Sequence, residues 1–497
     1  MRLTVFTNSN QKVRLWLRRF ITRPLRRFFR LFTGCPIVLP AWPYFVFFYF
    51  PMPPFGKSNK PKTVNPMAKK TKPKRKKKKT KRALAKGEQL GRGGQATVYA
   101  TTTPEGEEKA LKIYHSVTDR KEVIANITRL IRTPRPSPSF IWPEKVYSIK
   151  VKGRKRKTVA IQMDLLSKNY RALSDIVDWE CNLSIRTLLL IAFNLALAIE
   201  KLHAAGMYFC DLSLANVYFH ETTGAVMLID TENITANATQ FLGTPGCMAP
   251  EIANGTAPNS QATDWMSLAI LIFSILVRQN PFHGIKLDSV ECRNFKDEFE
   301  ILSQNPVYIF DPIDRTNPLV DGHPSHRLFA AFPTLHRAFE RSFVSGLRTP
   351  TNRLSPISWL QLLSKTIARI TVCECGAENI YSSKSPACWN CLAKLKIYGV
   401  IQVETRFAKH KLIVCENASL YPHHVSVKNR FDFTHRLAVC RSFNRPRRWP
   451  RLHNLSTEDW LVPNTNLKLR SGQSVSLRSN QNFFLPTCNV RVNFRRS

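Results

Sequence analysis

Leu202-His203-Ala204-Ala205-Gly206-Met207-Tyr208-Phe209-Cys210-Asp211-Leu212-Ser213-Leu214-Ala215-Asn216-Val217 is the stretch on which the fold turns. Its first five residues look like a helix end. From Tyr208 it reads as a loop carrying an Asp and an Asn five positions apart. Both can serve one reaction. The Asp211 carboxylate accepts a hydroxyl proton or orients a nucleophile, and the Asn216 side-chain carbonyl binds a metal. Downstream, Val226-Met227-Leu228-Ile229-Asp230 reads as a strand ending in a carboxylate that can chelate Mg2+ (or Mn2+) between two phosphates. Any one carboxylate is more often plain surface, so the weight lies in the order of the elements.

Upstream lies Leu90-Gly91-Arg92-Gly93-Gly94-Gln95-Ala96-Thr97-Val98-Tyr99. Gly91 and Gly93 let a hairpin bring backbone N–H groups close to phosphates with no Cβ in the way. Val98 then returns to a strand and can cover one face of an adenine ring. A glycine-rich turn is weak evidence by itself. Here Ala110-Leu111-Lys112-Ile113 follows at the distance of the next hairpin strands, and a Lys pointing in from a strand can neutralise the α- and β-phosphates of ATP. An isolated strand Lys would be solvated surface; the two motifs together reverse that reading.

This ordered set resembles the eukaryotic-like protein kinase superfamily over residues 86–365, in a divergent bacterial or phage-type Ser/Thr group. Further residues fit it. Gly243-Thr244-Pro245-Gly246-Cys247-Met248-Ala249-Pro250-Glu251 is similar to the family's substrate-docking loop, and Asp264-Trp265-Met266-Ser267-Leu268 opens a buried helix like its central one. The resemblance implies that Glu251 pairs with Arg353 and that Asp264 anchors the catalytic-loop backbone. It implies a hinge at Met163, Asp164 and Leu165 whose backbone holds adenine. It also implies ATP as phosphoryl donor and protein Ser/Thr hydroxyls as acceptors.

The chain departs from the family at several places. Phe209-Cys210 stands where the family has His-Arg, which leaves activation-loop phosphorylation without its usual charge partner. Ser213 replaces a Lys that touches the γ-phosphate. Asp230-Thr231-Glu232 replaces Asp-Phe-Gly, so a packing element is missing; Glu232 reads as a solvated side chain, with an extra metal ligand as the other reading. Glu122, in a helix read over 119–131, is the candidate partner of Lys112. These departures motivate a second hypothesis, a nucleotide-binding pseudokinase or scaffold. A third makes the chain a zinc-ribbon adaptor for nucleic acid.

The net charge is +41, from 75 Lys and Arg against 34 Asp and Glu. No acidic residue precedes Glu88, while about two dozen basic ones do. Residues 1–86 therefore read as a basic arm, solvated and disordered by default. The sharper reading is an electrostatic tether to anionic membrane or nucleic acid. Residues 37–50 are apolar enough for a membrane-associated segment, with an inner-membrane location as the alternative to a cytoplasmic one. Repeated prolines and a length short of the ~20 residues a bilayer needs argue against a span. Met67 offers a second start, in which case the first 66 residues would not be translated.

Four of the 12 cysteines cluster as Cys373-Glu374-Cys375-Gly376 and Cys388-Trp389-Asn390-Cys391. Two short-spaced thiolate pairs can close a tetrahedral site with no open position, which predicts structural Zn2+ rather than catalysis. The remaining thiols are scattered and suit a reducing compartment. Short alternating runs at 411–415, 424–427 and 475–477 predict strands. Asn454-Leu455-Ser456-Thr457 with Trp460 faintly resembles forkhead-associated β-sandwiches. The expected architecture is α+β: a basic arm (1–86), a β-rich N-lobe (87–166), a helical C-lobe (167–370), a zinc ribbon (371–395) and a β-rich basic domain (396–497).

Overall fold

The computed structural model describes residues 87–115, 120–149, 157–237, 239–384, 386–405, 409–426, 428–429, 431–441, 450–462, 468–478, 481–485 and 490–496. The basic arm, the run 37–50 and Cys35 lie outside these residues. Among those described, no helix is long and apolar enough to cross a membrane.

Five strands open the fold: β1 (Gln89–Arg92), β2 (Ala96–Thr102), β3 (Glu108–Tyr114), β4 (Pro143–Ile149) and β5 (Thr158–Asp164). They form an antiparallel sheet in the order β1-β2-β3-β5-β4. Helix α1 (Arg120–Arg132) packs against it through Ile127 and its neighbours Val123, Ile124 and Ile131. Trp142 closes the helix end, its indole N–H donating to the Leu130 carbonyl at 3.0 Å.

The second lobe is helical. Its two long helices are α2 (Ile185–Ala204) and α3 (Gln261–Val277). Each starts at a serine cap: Ser184 accepts from the Thr187 N–H, and Ser260 shares a capping box with Thr263. Nearly every residue of α3 from Met266 to Val277 is buried, so it forms the centre of the main core. Helix α4 (Pro356–Ile367) packs on α2. Three short strands lie at the junction of the lobes, β6 (Tyr170–Ala172), β7 (Val217–His220) and β8 (Val226–Leu228), in the order β6-β7-β8. The first lobe is laced to β8 by the Ile141 N–H on the Leu228 carbonyl and the Leu228 N–H on the Ser139 carbonyl, at 2.8 and 2.7 Å.

A hairpin of β9 (Ile370–Val372) and β10 (Glu378–Ile380) carries the first cysteine pair. Beyond it stand two sheets. One, in the order β12-β11-β20-β19-β16-β17, uses β11 (Gly399–Glu404), β12 (Lys409–Val414), β16 (Trp460–Leu461), β17 (Lys468–Leu469), β19 (Gln481–Leu485) and β20 (Val490–Arg496). The other, β13-β14-β15-β18, uses β13 (Ser419–Leu420), β14 (Ala438–Arg441), β15 (Arg451–Asn454) and β18 (Ser474–Ser476). Trp460, Phe483, Val492 and Phe494 fill their shared core. Residues 411–414 and 475–476 lie in strands. The strand expected from His424 is instead a short helix, Pro422–Val425. Pro422 at its first turn has its φ preset for a helix and lacks an N–H to give to a ladder.

Candidate active site

The β1–β2 turn closes with the Gly93 N–H on the Ala96 carbonyl at 2.9 Å. A Cβ on Gly91 would meet nothing within 4 Å, so open space adjoins this position of the hairpin. Val98 stands opposite Lys112 in the β2–β3 ladder, and Ala110 opposite Met163 in β3–β5. Val98, Ala110, Met163 and Leu165 belong to one apolar cluster, against which Met227 and Ile229 pack from the helical lobe. That pair was not singled out from sequence, although both lie in the strand read for Asp230. Asp164 is held by Lys109 at 2.8 Å and Arg135 at 3.1 Å.

Lys112 is buried, and its Nζ reaches Asp230 Oδ1 at 2.8 Å, joining residues from the two lobes. It also contacts the Glu232 carboxylate. Burial works to lower the Lys112 pKa, but the Glu232 and Asp230 charges outweigh it and hold the ammonium well above its ordinary value. Asp230 sits in the left-handed backbone region at φ 58° and ψ 40°. A non-glycine residue held there at the end of a strand is strain of the kind found at functional positions.

Two expectations fail here. Glu122 is exposed and does not hold Lys112. Glu232 is neither solvated nor free for a metal: its side chain is 10% exposed, paired with Lys112, and accepts from the Tyr114 hydroxyl at 2.8 Å. The missing Phe has a polar substitute, since the buried Thr231 hydroxyl donates to the Ile141 carbonyl at 2.6 Å.

The catalytic-loop candidates are fixed from α3. The Asp264 carboxylate accepts from the Phe209 N–H at 2.7 Å, the Cys210 N–H at 3.1 Å and His203 Nε2 at 3.0 Å. Cys210 takes a left-handed φ of 69° on the way to Asp211. The Asp211 side chain is buried. Burial pushes its carboxyl above the ordinary range; the Thr244 hydroxyl, donating to Oδ1 at 2.7 Å, works against this, and the nearby Asp230 charge adds to it. Asn216 Nδ2 donates to the Asp211 carbonyl at 2.9 Å, and the Asn216 carbonyl accepts from the Ile229 N–H at 2.9 Å. Lys112, Asp211, Asn216 and Asp230 are thus neighbours drawn from β3, the loop after α2 and the end of β8. Glu251 and Arg353 form a two-pronged ion pair at 2.6 and 2.8 Å. Thr244 was read only as part of a docking loop; its contact with Asp211 had no signal in sequence spacing.

The four cysteine sulfurs are drawn together in an arrangement compatible with a metal ion. Cys373 and Cys391 sulfurs lie 3.5 Å apart, and Cys375 and Cys388 sulfurs 3.7 Å. All four fall within 4.8 Å of one another. Tetrahedral thiolates at Zn–S bond lengths of about 2.3 Å would stand about 3.8 Å apart, whereas a disulfide needs about 2.05 Å. Gly376, at φ 84°, lets the turn curl back over the sulfurs. Burial opposes ionisation of Cys388, but the Cys391 and Asn390 N–H groups hold its thiol down at about 6. Asn379, itself buried, donates to the same sulfur at 3.4 Å.

A glycine hairpin, an inward lysine and carboxylates from the helical lobe thus meet at the junction of two lobes. The protein kinase domain family matches residues 84–326, and the chain carries a domain of the protein kinase superfamily. Over 145 residues it is 32% identical to "Protein kinase C, eye isozyme" of Drosophila melanogaster, covering 28% of this chain and 20% of that protein. Over 186 residues it is 30% identical to "Developmentally-regulated protein kinase 1" of Dictyostelium discoideum, covering 36% and 24% respectively. "Serine/threonine-protein kinase ppk6" of Schizosaccharomyces pombe matches 147 residues at 29%, covering 29% and 19%. The chain therefore spans no more than 24% of the length of these three relatives. A domain of this class implies ATP and a divalent metal ion. The oxygen donors of Asp230 and Asn216, all hard ligands, suit Mg2+.

Proposed function

We propose that the chain transfers the γ-phosphate of ATP to Ser or Thr hydroxyls of proteins, with Mg2+ (or Mn2+) bound. Lys112 would hold the α- and β-phosphates under the Gly91–Val98 hairpin. Val98, Ala110 and the backbone of Met163, Asp164 and Leu165 would take the adenine. Asn216 and Asp230 would hold the metal, which neutralises phosphate charge when bound. Asp211 would orient the attacking hydroxyl, with Thr244 fixing one of its oxygens. The observation that carries this reading is the convergence of Lys112, Asp211 and Asp230 across the lobe junction. Similarity to a protein named as a serine/threonine kinase supports the choice of acceptor.

The four cysteines are read as a structural Zn2+ site within residues 371–395. The proposed organisation keeps the kinase lobes at 87–166 and 167–370, the β-rich domain at 396–497 and the basic arm at 1–86. Buried free thiols at Cys181, Cys210, Cys247, Cys415 and Cys440 support a reducing, cytoplasmic setting.

A second reading, a pseudokinase, is favoured by Ser213. Its buried hydroxyl has no partner among the described residues, and it stands where a phosphate-binding Lys belongs. Radiolabel transfer measured beside the thermal shift caused by Mg-ATP separates the two, using wild type and Asp230→Ala. Transfer by wild type that is lost in Asp230→Ala supports the kinase. A thermal shift with no transfer supports the pseudokinase.

A further inference from the structure

A buried ammonium needs a fixed counter-charge to remain charged and aimed. Helix α1 gives Lys112 none. Its acidic residue Glu122 is exposed in the first turn. What α1 does send to the site is Asn126, whose Nδ2 donates to the backbone carbonyl of Glu232 at 2.6 Å. Arg129 holds Asn126 Oδ1 at 2.9 Å and donates to the Ile234 carbonyl at 2.8 Å. The Glu232 side chain in turn meets Lys112 and the Tyr114 hydroxyl. Thr231, one residue before it, is pinned to the Ile141 carbonyl. Glu232 is therefore fixed at its side chain, at its backbone and through its neighbour.

We infer that Glu232 is the positioning carboxylate of Lys112, the role the resemblance assigns to a helix glutamate, and that it keeps the ammonium on the phosphates of a bound nucleotide. This rests on the nucleotide site proposed above. Lys112 has two carboxylate partners of different character. The Asp230 side chain is 42% exposed and so open to a cation, whereas that of Glu232 is 10% exposed and committed to the lysine. When Asp230 turns to a metal, Lys112 retains Glu232. Only Thr231 separates the two carboxylates, so the counter-charge travels with the metal-binding segment. Helix α1 contributes only a neutral amide and an arginine aimed at carbonyls, so neither member of the Lys112–Glu232 charge pair lies on α1.

The test is calorimetric binding of Mg-ADP to the full chain at saturating Mg2+. Glu232→Gln is expected to weaken binding on the order of tenfold, with the KM for protein substrate unchanged. Glu122→Gln binds as wild type. In a Lys112→Met background, Glu232→Gln has no further effect, because it acts through the lysine. Tyr114→Phe, which removes the hydroxyl donating to Glu232, weakens binding by a smaller factor and keeps the test decisive if Glu232→Gln does not fold. Unchanged affinity in both Glu232→Gln and Tyr114→Phe overturns the inference. So does an undiminished effect in the Lys112→Met background, or a loss cured by excess Mg2+, which would put Glu232 on the cation. Binding does not require transfer. A wild type that shows this coupling yet transfers no phosphate sinks the kinase reading and leaves the inference standing.

Discussion

The Thr244 hydroxyl donates to Asp211 Oδ1 at 2.7 Å and so fixes the carboxylate proposed to orient the nucleophile. A hydrogen bond to a charged group contributes about 1.5–3 kcal/mol. Thr244→Val should accordingly lower the transfer rate by about ten- to a hundredfold, while Mg-ADP affinity stays near wild type; steady-state kinetics beside calorimetry checks both. At this scale the sequence spoke unevenly. Lys112, Asp211, Asn216 and Asp230 are each marked by neighbours of characteristic type, so their places could be read from local pattern. Glu232 could not. Its charge suggested solvent, and nothing in the spacing of Thr231 and Glu232 encodes that β3 passes within reach. Glu122 had the right residue type on a helix, but the register turned Asn126 to the site instead.

Among elements, α3 is the hub. Asp264, in its first turn, fixes the backbone before Asp211, and the Ala262 carbonyl accepts from Arg353 at 2.9 Å. The Arg353 side chain is fully buried, and Glu251 is its charge partner. Replacing Glu251 with Ala strands a buried guanidinium with carbonyl partners only, and should cost about 3–5 kcal/mol. A lowered urea midpoint with an unchanged slope would register that loss. Long helices were legible because caps and apolar runs coincide, as at Ser260 before Met266–Val277. The short helix Pro422–Val425 was not, since His423, His424 and Val425 are too few to show a period. Asn454, Ser456 and Trp460, from the run that resembles forkhead-associated β-sandwiches, form a buried network: Asn454 Oδ1 accepts from the Ser456 hydroxyl at 2.6 Å, and the Trp460 indole donates to Ser456 at 2.9 Å. They hold the sandwich together.

Across the whole molecule, the cysteine hairpin and the β-sandwich are seated on the helical lobe. Glu378 accepts from the Arg186 N–H at 2.9 Å, Arg186 Nη1 donates to the Tyr421 hydroxyl at 3.0 Å, and Phe433 meets Phe193 edge-on at 5.0 Å. Metal at the four thiolates would thus stabilise more than its own turn. Chelation should release about one Zn2+ per chain and lower the melting temperature, and Cys375→Ser should do the same without a chelator; metal analysis and calorimetric scans report both. This linkage had no sequence signal, because the partners lie on elements far apart in the chain that meet only in the folded structure. The central claim concerns the lobe junction, and one measurement meets it most directly: transfer of labelled γ-phosphate to protein by the full chain with Mg-ATP, wild type against Asp211→Ala, with the acceptor identified by phosphoamino-acid analysis. Label on Ser or Thr that falls by at least about a hundredfold in Asp211→Ala, with the melting temperature unchanged, is the predicted result; equal labelling by both proteins would contradict it.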